Sequence, residues 1–169
     1  MRKASVISFA LPKDSEELAG IQFDCRTALD LKIGLDLGNL FPDRNCLTRI
    51  WSARMLRKKA KIYCLRAEAK ESVLGFCQGG IDENGDMHVC ALYVRPADWR
   101  RGYGTELLKK IFSDAVKEGS KNIWLEVLDK NAVAKNFYEK FGFSLATGGE
   151  RLVRAGEKYF KFKRMIYRI

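Results

Sequence analysis

The sequence predicts a mixed α/β domain, and three observations predict it. Segments of alternating apolar residues and segments with helical apolar spacing succeed one another in a fixed order: β, α, α, three strands, α, β, α, two strands. No apolar run nears the roughly 20 residues of a membrane span, so no membrane partner is expected. A chain of 169 residues is about one domain, long enough to bury a core without metal or disulfide staples.

The elements follow in order. The run ASVISFALP, residues 4–12, alternates and reads as a first strand. The short apolar patch there is broken by Pro12 and lacks the apolar region and cleavage site of a signal peptide. A helix then starts at Asp14 or Ser15 as N-cap, with acidic residues in its first turn. Leu18, Ile21, Cys25 and Leu29 recur along one of its faces. GLDLGNLFPD, residues 34–43, breaks it. The second helix runs from Arg44 to about Lys59, with Leu47, Ile50, Trp51 and Met55 on one side. KIYCLRAEA and VLGFCQGGI form a hairpin joined by a short polar turn. ENGD, residues 83–86, is a turn whose Asn-Gly pair suits type I′, and MHVCALYVRP is the strand after it.

Beyond that strand, TELLKKIFSDAVKEG sets Leu107, Leu108, Ile111, Phe112, Ala115 and Val116 on one helical face and ends at Gly119. KNIWLEVL is a short strand. NAVAKNFYEKFG is a helix with Val133, Ala134, Phe137, Tyr138 and Phe141 on one side and Gly142 as C-cap. FSLATGG and EKYFKFKRMIYRI close the chain as paired strands. No repeat, low-complexity tract or linker interrupts the order, so residues 1–169 read as a single domain.

Composition narrows the function classes. Apolar residues make up 47% and charged residues 31%, which fits a globular chain rather than a disordered one. Five scattered cysteines with no C-x-x-C pair, beside one histidine, argue against a zinc site or a disulfide framework. Cys64, Cys77 and Cys90 read as reduced, part-buried thiols, and the expected compartment is the cytoplasm. The net charge of +10 is uneven: residues 44–61 carry seven basic side chains and no acidic one. Such a field favours anionic partners, whether a phosphate-rich cofactor, RNA or an acidic protein surface, and a merely solvated basic face is the competing reading.

The chemistry centres on RPADWRRGYGTELLKK, residues 95–110, between a strand and a helix. Glycines there let backbone N–H groups approach an anion, and the helix N-terminus adds about half a positive charge. Arg100 and Arg101 would add donors. It is neither a P-loop nor the dinucleotide glycine pattern, since no Gly-Lys-Ser/Thr follows and Leu107 stands where the third glycine would be. Alone, the loop reads first as a tight strand-to-helix turn.

Two stretches together resemble the GNAT superfamily of N-acetyltransferases. Leu92 to Leu108, LYVRPADWRRGYGTELL, resembles its coenzyme A loop. Leu125 to Phe143 resembles its second motif through Asn131, Ala134, Tyr138, Gly142 and Phe143. The resemblance covers about the last half of the chain; the first half matches only in its order of elements. It implies the GNAT fold, a mixed and mostly antiparallel sheet of about six to seven strands flanked by about four helices. It also implies an acetyl-CoA-dependent N-acetyltransferase. One position departs: Trp99 stands where the family usually has Gln or Arg.

The resemblance assigns roles residue by residue. The backbone of Arg100, Arg101, Gly102, Tyr103, Gly104 and Thr105 would hold the pyrophosphate, with the arginine side chains as helpers. The backbone of Leu92 or Tyr93 would donate to the oxyanion, and Leu92 and Val94 would pair with the pantetheine arm. Asn131 would hydrogen-bond the pantetheine, and Tyr138 would meet the departing thiolate. A helix N-cap for Asn131 and a core aromatic for Tyr138 are the competing readings. Something must take the ammonium proton: Glu126 and His88 are the candidates, against plain sheet residues.

The acceptor site is expected from residues 14–51, and no motif there names an amine. The basic field suits a peptide or protein amine, or an aminoacylated RNA, better than a polycation. Small-molecule amines stay open, as do a non-catalytic acyl-CoA-binding module and an RNA-binding module at the basic helix. Monomer and homodimer are both compatible with the sequence.

Overall fold

The computed structural model describes residues 5–35, 41–57, 61–68 and 72–169. Seven strands form one sheet: β1 Ser5–Phe9, β2 Lys61–Ala67, β3 Val73–Ile81, β4 Met87–Val94, β5 Asn122–Leu128, β6 Ser144–Ala155 and β7 Lys158–Arg168. Their spatial order is β1-β2-β3-β4-β5-β7-β6. Only the β4–β5 pair is parallel; the others are antiparallel. Helices α1 Ser15–Ile33 and α2 Arg44–Met55 cover one face, while α3 Tyr103–Lys117 and α4 Ala132–Lys140 cover the other. The predicted mixed sheet with four helices is the observed one.

The two faces have separate cores. Leu18, Ile21 and Cys25 of α1 join Leu47 and Trp51 of α2 against Cys64, Phe76 and Ala91. Leu107, Leu108, Ile111 and Ala115 of α3 join Tyr138 of α4 against Tyr63, Cys77, Val89 and Leu125. Burying ten or so such side chains per face, at about 1.5–3 kcal/mol each, is what drives these helices onto the sheet.

Several expectations need correcting. Val116 and Val133 are 62% and 56% exposed, so neither belongs to its helix's buried face. On α3 the neighbouring inward place goes to Asp114, which is 4% exposed. It accepts hydrogen bonds from the Tyr63 hydroxyl at 2.6 Å and from Lys110 Nζ at 2.5 Å. Asp14 takes the N-cap position of α1, as expected, but its side chain makes no cap bond: its Oδ2 accepts from Leu11 N at 2.7 Å and from Arg66 Nη2 at 2.6 Å. The turn at residues 82–86 is not type I′, because Asn84 does not take positive φ; Gly85 alone does, at 81°. Asp82 Oδ1 instead accepts from the backbone N–H groups of Asn84 and Asp86. Strand β6 runs six residues past Gly149, to Ala155. Cys64 and Cys77 are fully buried rather than part-buried, and Cys90 is exposed; all five thiols are free. The second helix ends at Met55, with Leu56 as its C-cap, short of the expected Lys59. The α1–α2 break at 36–40, Lys58 and Lys59, and the β2–β3 turn at 69–71 lie outside the described residues.

Candidate active site

The site begins with a break in the sheet. Strands β4 and β5 pair only at Met87↔Ile123 and His88↔Trp124; beyond those positions they part. Just there β4 carries a bulge: Gln78 pairs with Ala91 and Gly79 with Val89, so Cys90 has no partner on β3. A bulge shifts alternation by one residue. Met87 and Val89 therefore face the α3 side, and after the bulge Leu92 and Val94 face it too, while Ala91 and Tyr93 turn to the α1 side.

The ladder fixes which backbone groups meet the opening. Arg95 N donates to Leu74 O at 2.9 Å, continuing the register Gly75↔Val94, Phe76↔Tyr93 and Cys77↔Leu92. In an antiparallel ladder alternate residues bond to the partner. Tyr93 thus bonds to β3, and the N–H groups of Leu92 and Val94 point into the opening. Val94 O confirms the direction by accepting from Cys25 Sγ at 3.0 Å and from Trp99 Nε1 at 2.6 Å. The departure at Trp99 has a structural consequence: its indole occupies a carbonyl on the edge of the opening.

Immediately after β4, a single 3₁₀ turn, Pro96–Asp98, leads into the loop. Arg100 takes φ 63° and Gly102 φ 83°, an alternation that turns successive N–H groups toward one point. Among the described residues, the N–H groups of Arg100, Arg101, Gly102, Gly104 and Thr105 donate to no backbone carbonyl. They stand at the positive end of a fifteen-residue helix, where such donors could hold an anion. Gly104 faces α4, and a Cβ there would meet the Phe137 ring at 3.4 Å, an ordinary contact. The arginine side chains are unequal. Arg101 Nη1 pairs with Asp98 at 3.3 Å, while Arg100 has no ion pair among the described residues. Tyr103 is a core residue, so only its backbone belongs to the loop. This chain's residues therefore fit a pyrophosphate, and beside it the opened edge of β4 fits an extended arm.

Tyr138 lies on the α3 side, 9% exposed, with its ring against Phe137 and Phe143. Its hydroxyl has no hydrogen-bond partner among the described residues. Burial pushes its pKa up, as do the nearby Tyr93 and Cys77, so it is a neutral phenol across the working pH range. Asn131 caps α4, its Oδ1 accepting from Ala134 N at 3.1 Å. The cap reading is thus the observed one, and its Nδ2 remains available to a ligand.

Glu126 and His88 come together on the other face, close enough to feel each other electrostatically. The His88 ring stacks on Trp124, with centroids 3.8 Å apart and 5° between planes. Cys90 Sγ lies 3.4 Å from its Nδ1. Burial lowers the His88 pKa; Arg164 adds to that, while Glu126 and Asp82 oppose it. Glu126 is held by Arg151 of β6 through three contacts of 2.6, 2.9 and 3.2 Å. Residues that sequence reasoning missed complete this face. Trp51 Nε1 donates to Gln22 Oε1 at 2.8 Å, and Gln22 Nε2 to the Tyr93 hydroxyl at 3.3 Å. Arg54 Nη1 donates to Gln78 Oε1 at 3.0 Å. The basic run on α2 is therefore not one presented strip: Arg54 turns to the sheet and Arg44 packs over Gly20.

Comparison with known proteins matches residues 34–143 to the acetyltransferase (GNAT) family. The chain belongs to the GNAT acetyltransferase family. It is an acetyl-CoA-dependent N-acetyltransferase, as the resemblance in Leu92–Leu108 and Leu125–Phe143 implies. It is similar to a ribosomal protein bS18-alanine N-acetyltransferase of Haemophilus ducreyi, 30% identical over 57% of this chain and 68% of that one. Among solved structures it resembles the PaiA N-acetyltransferase of Thermoplasma acidophilum in complex with coenzyme A. That match has a TM-score of 0.71 and 16% identity over 98% of this chain and 99% of the other. It also resembles the ribosomal-protein-S18-alanine N-acetyltransferase of Escherichia coli, TM-score 0.69, 20% identical over 98% of this chain and 94% of that one. At those identities the structural likeness speaks for the GNAT fold alone. No helix among the described residues is long and apolar enough to cross a membrane.

Proposed function

We propose that this GNAT enzyme moves the acetyl group directly to a primary amine, with donor and acceptor bound together on opposite sides of the β4–β5 opening. The observation that carries the proposal is the division of groups across that opening. A neutral phenol, Tyr138, lies on one side; a histidine and a carboxylate, His88 and Glu126, lie on the other.

The residues divide the work as follows. The loop N–H groups from Arg100 to Thr105, with the Arg100 side chain, hold the pyrophosphate. The Val94 N–H and the Leu92 carbonyl pair with the arm, and Asn131 Nδ2 adds a donor. The Leu92 N–H, fixed by the bulge, is the oxyanion donor in preference to Tyr93, whose N–H is spent on β3. His88, neutral near pH 7, takes the ammonium proton, directly or through water. Glu126, already held by Arg151, steadies the positive charge that His88 acquires. Tyr138 donates a hydrogen bond to the departing sulfur. Its raised pKa makes it a donor there rather than a source of a free proton.

A peptide or protein amine is the favoured acceptor class, supported by the basic field and by the similarity to enzymes that act on ribosomal protein bS18. The five free thiols support a reducing compartment such as the cytoplasm. Initial-rate kinetics with both substrates varied test direct transfer. Intersecting lines are expected. Parallel lines, or an acetylated Cys90 found by mass spectrometry after acetyl-CoA alone, would indicate transfer through the enzyme.

A further inference from the structure

We infer that the acceptor is an amine that also carries a carboxylate, and that Arg26 receives that carboxylate. The inference deepens the acetyltransferase reading and rests on it.

Arg26 lies one helical turn beyond Gln22 on α1, in the row that reaches the Tyr93 hydroxyl. Only 8% of it is exposed. Its Nη2 donates to Pro42 O at 2.8 Å, and its guanidinium lies near the rings of Phe23 and Phe41, at 5.4 and 4.9 Å. Its Nη1 is buried and has no hydrogen-bond partner. A buried guanidinium with an empty donor is costly, and its planar fork suits a carboxylate above other groups. Asp30, one turn on, is within electrostatic reach, yet no hydrogen bond fills Nη1.

The surroundings have the same sign. Arg54 acts electrostatically on Tyr93 and on Cys90 at the bulge, and Arg164 acts on His88 while lying 4.2 Å over the Trp124 ring. Neither has a carboxylate partner among the described residues. The acids nearby are committed. Glu126 is bound by Arg151, and Asp82 accepts from Trp124 Nε1 and from the Asn84 and Asp86 backbone. An acceptor reaching the bulge thus enters beside Arg54 and Arg164, with Arg26 acting on Tyr93 further along α1, and that field repels a polycation and attracts an oxyanion.

The test uses the full-length enzyme with acetyl-CoA and reads thiol release. One arm compares free amino acids with their amides, so the α-carboxylate is the variable. The other compares dipeptide amides starting with Asp or Glu against those starting with Asn or Gln, so a side-chain carboxylate is the variable. The expected result in at least one arm is a KM lower by about 10-fold to 100-fold for the carboxylate form, the range for a charge-assisted hydrogen bond. Arg26→Gln should erase that preference with acetyl-CoA affinity unchanged, and Arg26→Lys should restore part of it. A purely structural Arg26 would affect both acceptor forms alike. Arg164→Gln, at a less buried position, reports on the field if Arg26→Gln fails to fold. Equal or better turnover of the amides overturns the inference. So does the absence of turnover for every carboxylate-bearing amine while acetyl-CoA still binds, which leaves the acetyltransferase reading in place. Failure to bind acetyl-CoA would overturn both.

Discussion

Replacing Tyr138 by phenylalanine separates chemistry from packing. The ring stays, with its contacts to Phe137 and Phe143 at 5.2 and 5.6 Å between centroids. Only the hydroxyl goes, and in the folded chain it has no hydrogen-bond partner among the described residues. Burying such a group costs about 1–3 kcal/mol when it is fully cut off from water. Removing it from a residue that keeps 9% of its surface should therefore stabilise the protein by up to about 1 kcal/mol. For a chain this long that raises Tm by roughly 2–4 °C. The rate should move the other way. A lost donor at the departing sulfur is expected to lower kcat by about 10²-fold or more. Acetyl-CoA affinity, measured by calorimetry, should change less than about threefold, since the loop N–H groups are untouched. A Tm that falls by several degrees would show that the hydroxyl is structurally bonded. An unchanged kcat would remove Tyr138 from the chemistry.

Other outcomes follow from the same geometry. If His88 takes the proton, the acid limb of kcat/KM should have its midpoint below the ordinary histidine value of about 6.5, because burial lowers the pKa; His88→Gln should abolish that limb, and a persisting limb would point to Glu126. Gly102→Ala must hold φ near 83° at a cost of about 1–2 kcal/mol, so thermal melts should show a drop and acetyl-CoA should bind at least about tenfold more weakly. Asp114→Asn should destabilise by about 1.5–3 kcal/mol at neutral pH in urea unfolding, since two hydrogen bonds converge on the carboxylate. Burial alone would raise the Asp114 pKa, but the bonds from Lys110 and Tyr63 outweigh it and lower it. Its contribution is therefore present above the unfolded value of about 3.9 and lost as pH falls through the lower folded value, so the two proteins should converge in strong acid.

What was legible in the sequence was what repeats locally. Helix faces such as Leu107, Leu108, Ile111 and Ala115 announce themselves by spacing, and the order of elements gave the layers. Val116 and Val133 failed because a helix meets a sheet along a narrow stripe, and the residue beside that stripe can be apolar at little cost. Asp114 was unreadable as an inward residue because its partner, Tyr63, is 51 positions away. The bulge at Cys90 leaves no mark in MHVCALYV, yet it decides which face Leu92 and Tyr93 take. Glu126, His88 and Tyr138 were named from their chemistry and the resemblance. Arg151, Gln22 and Arg26 were not, because each acquires its meaning only from a residue distant in sequence that the fold brings beside it.

The central claim is that the donor lies along the opened edge of β4 and ends on the α3 loop. Amide hydrogen exchange with and without acetyl-CoA tests it most directly. New protection is expected at Leu92, Val94 and residues 100–105, with Tyr93 and Ala91, already bonded to β3, changing little. Protection confined to other strands, or none at saturating acetyl-CoA, would contradict it.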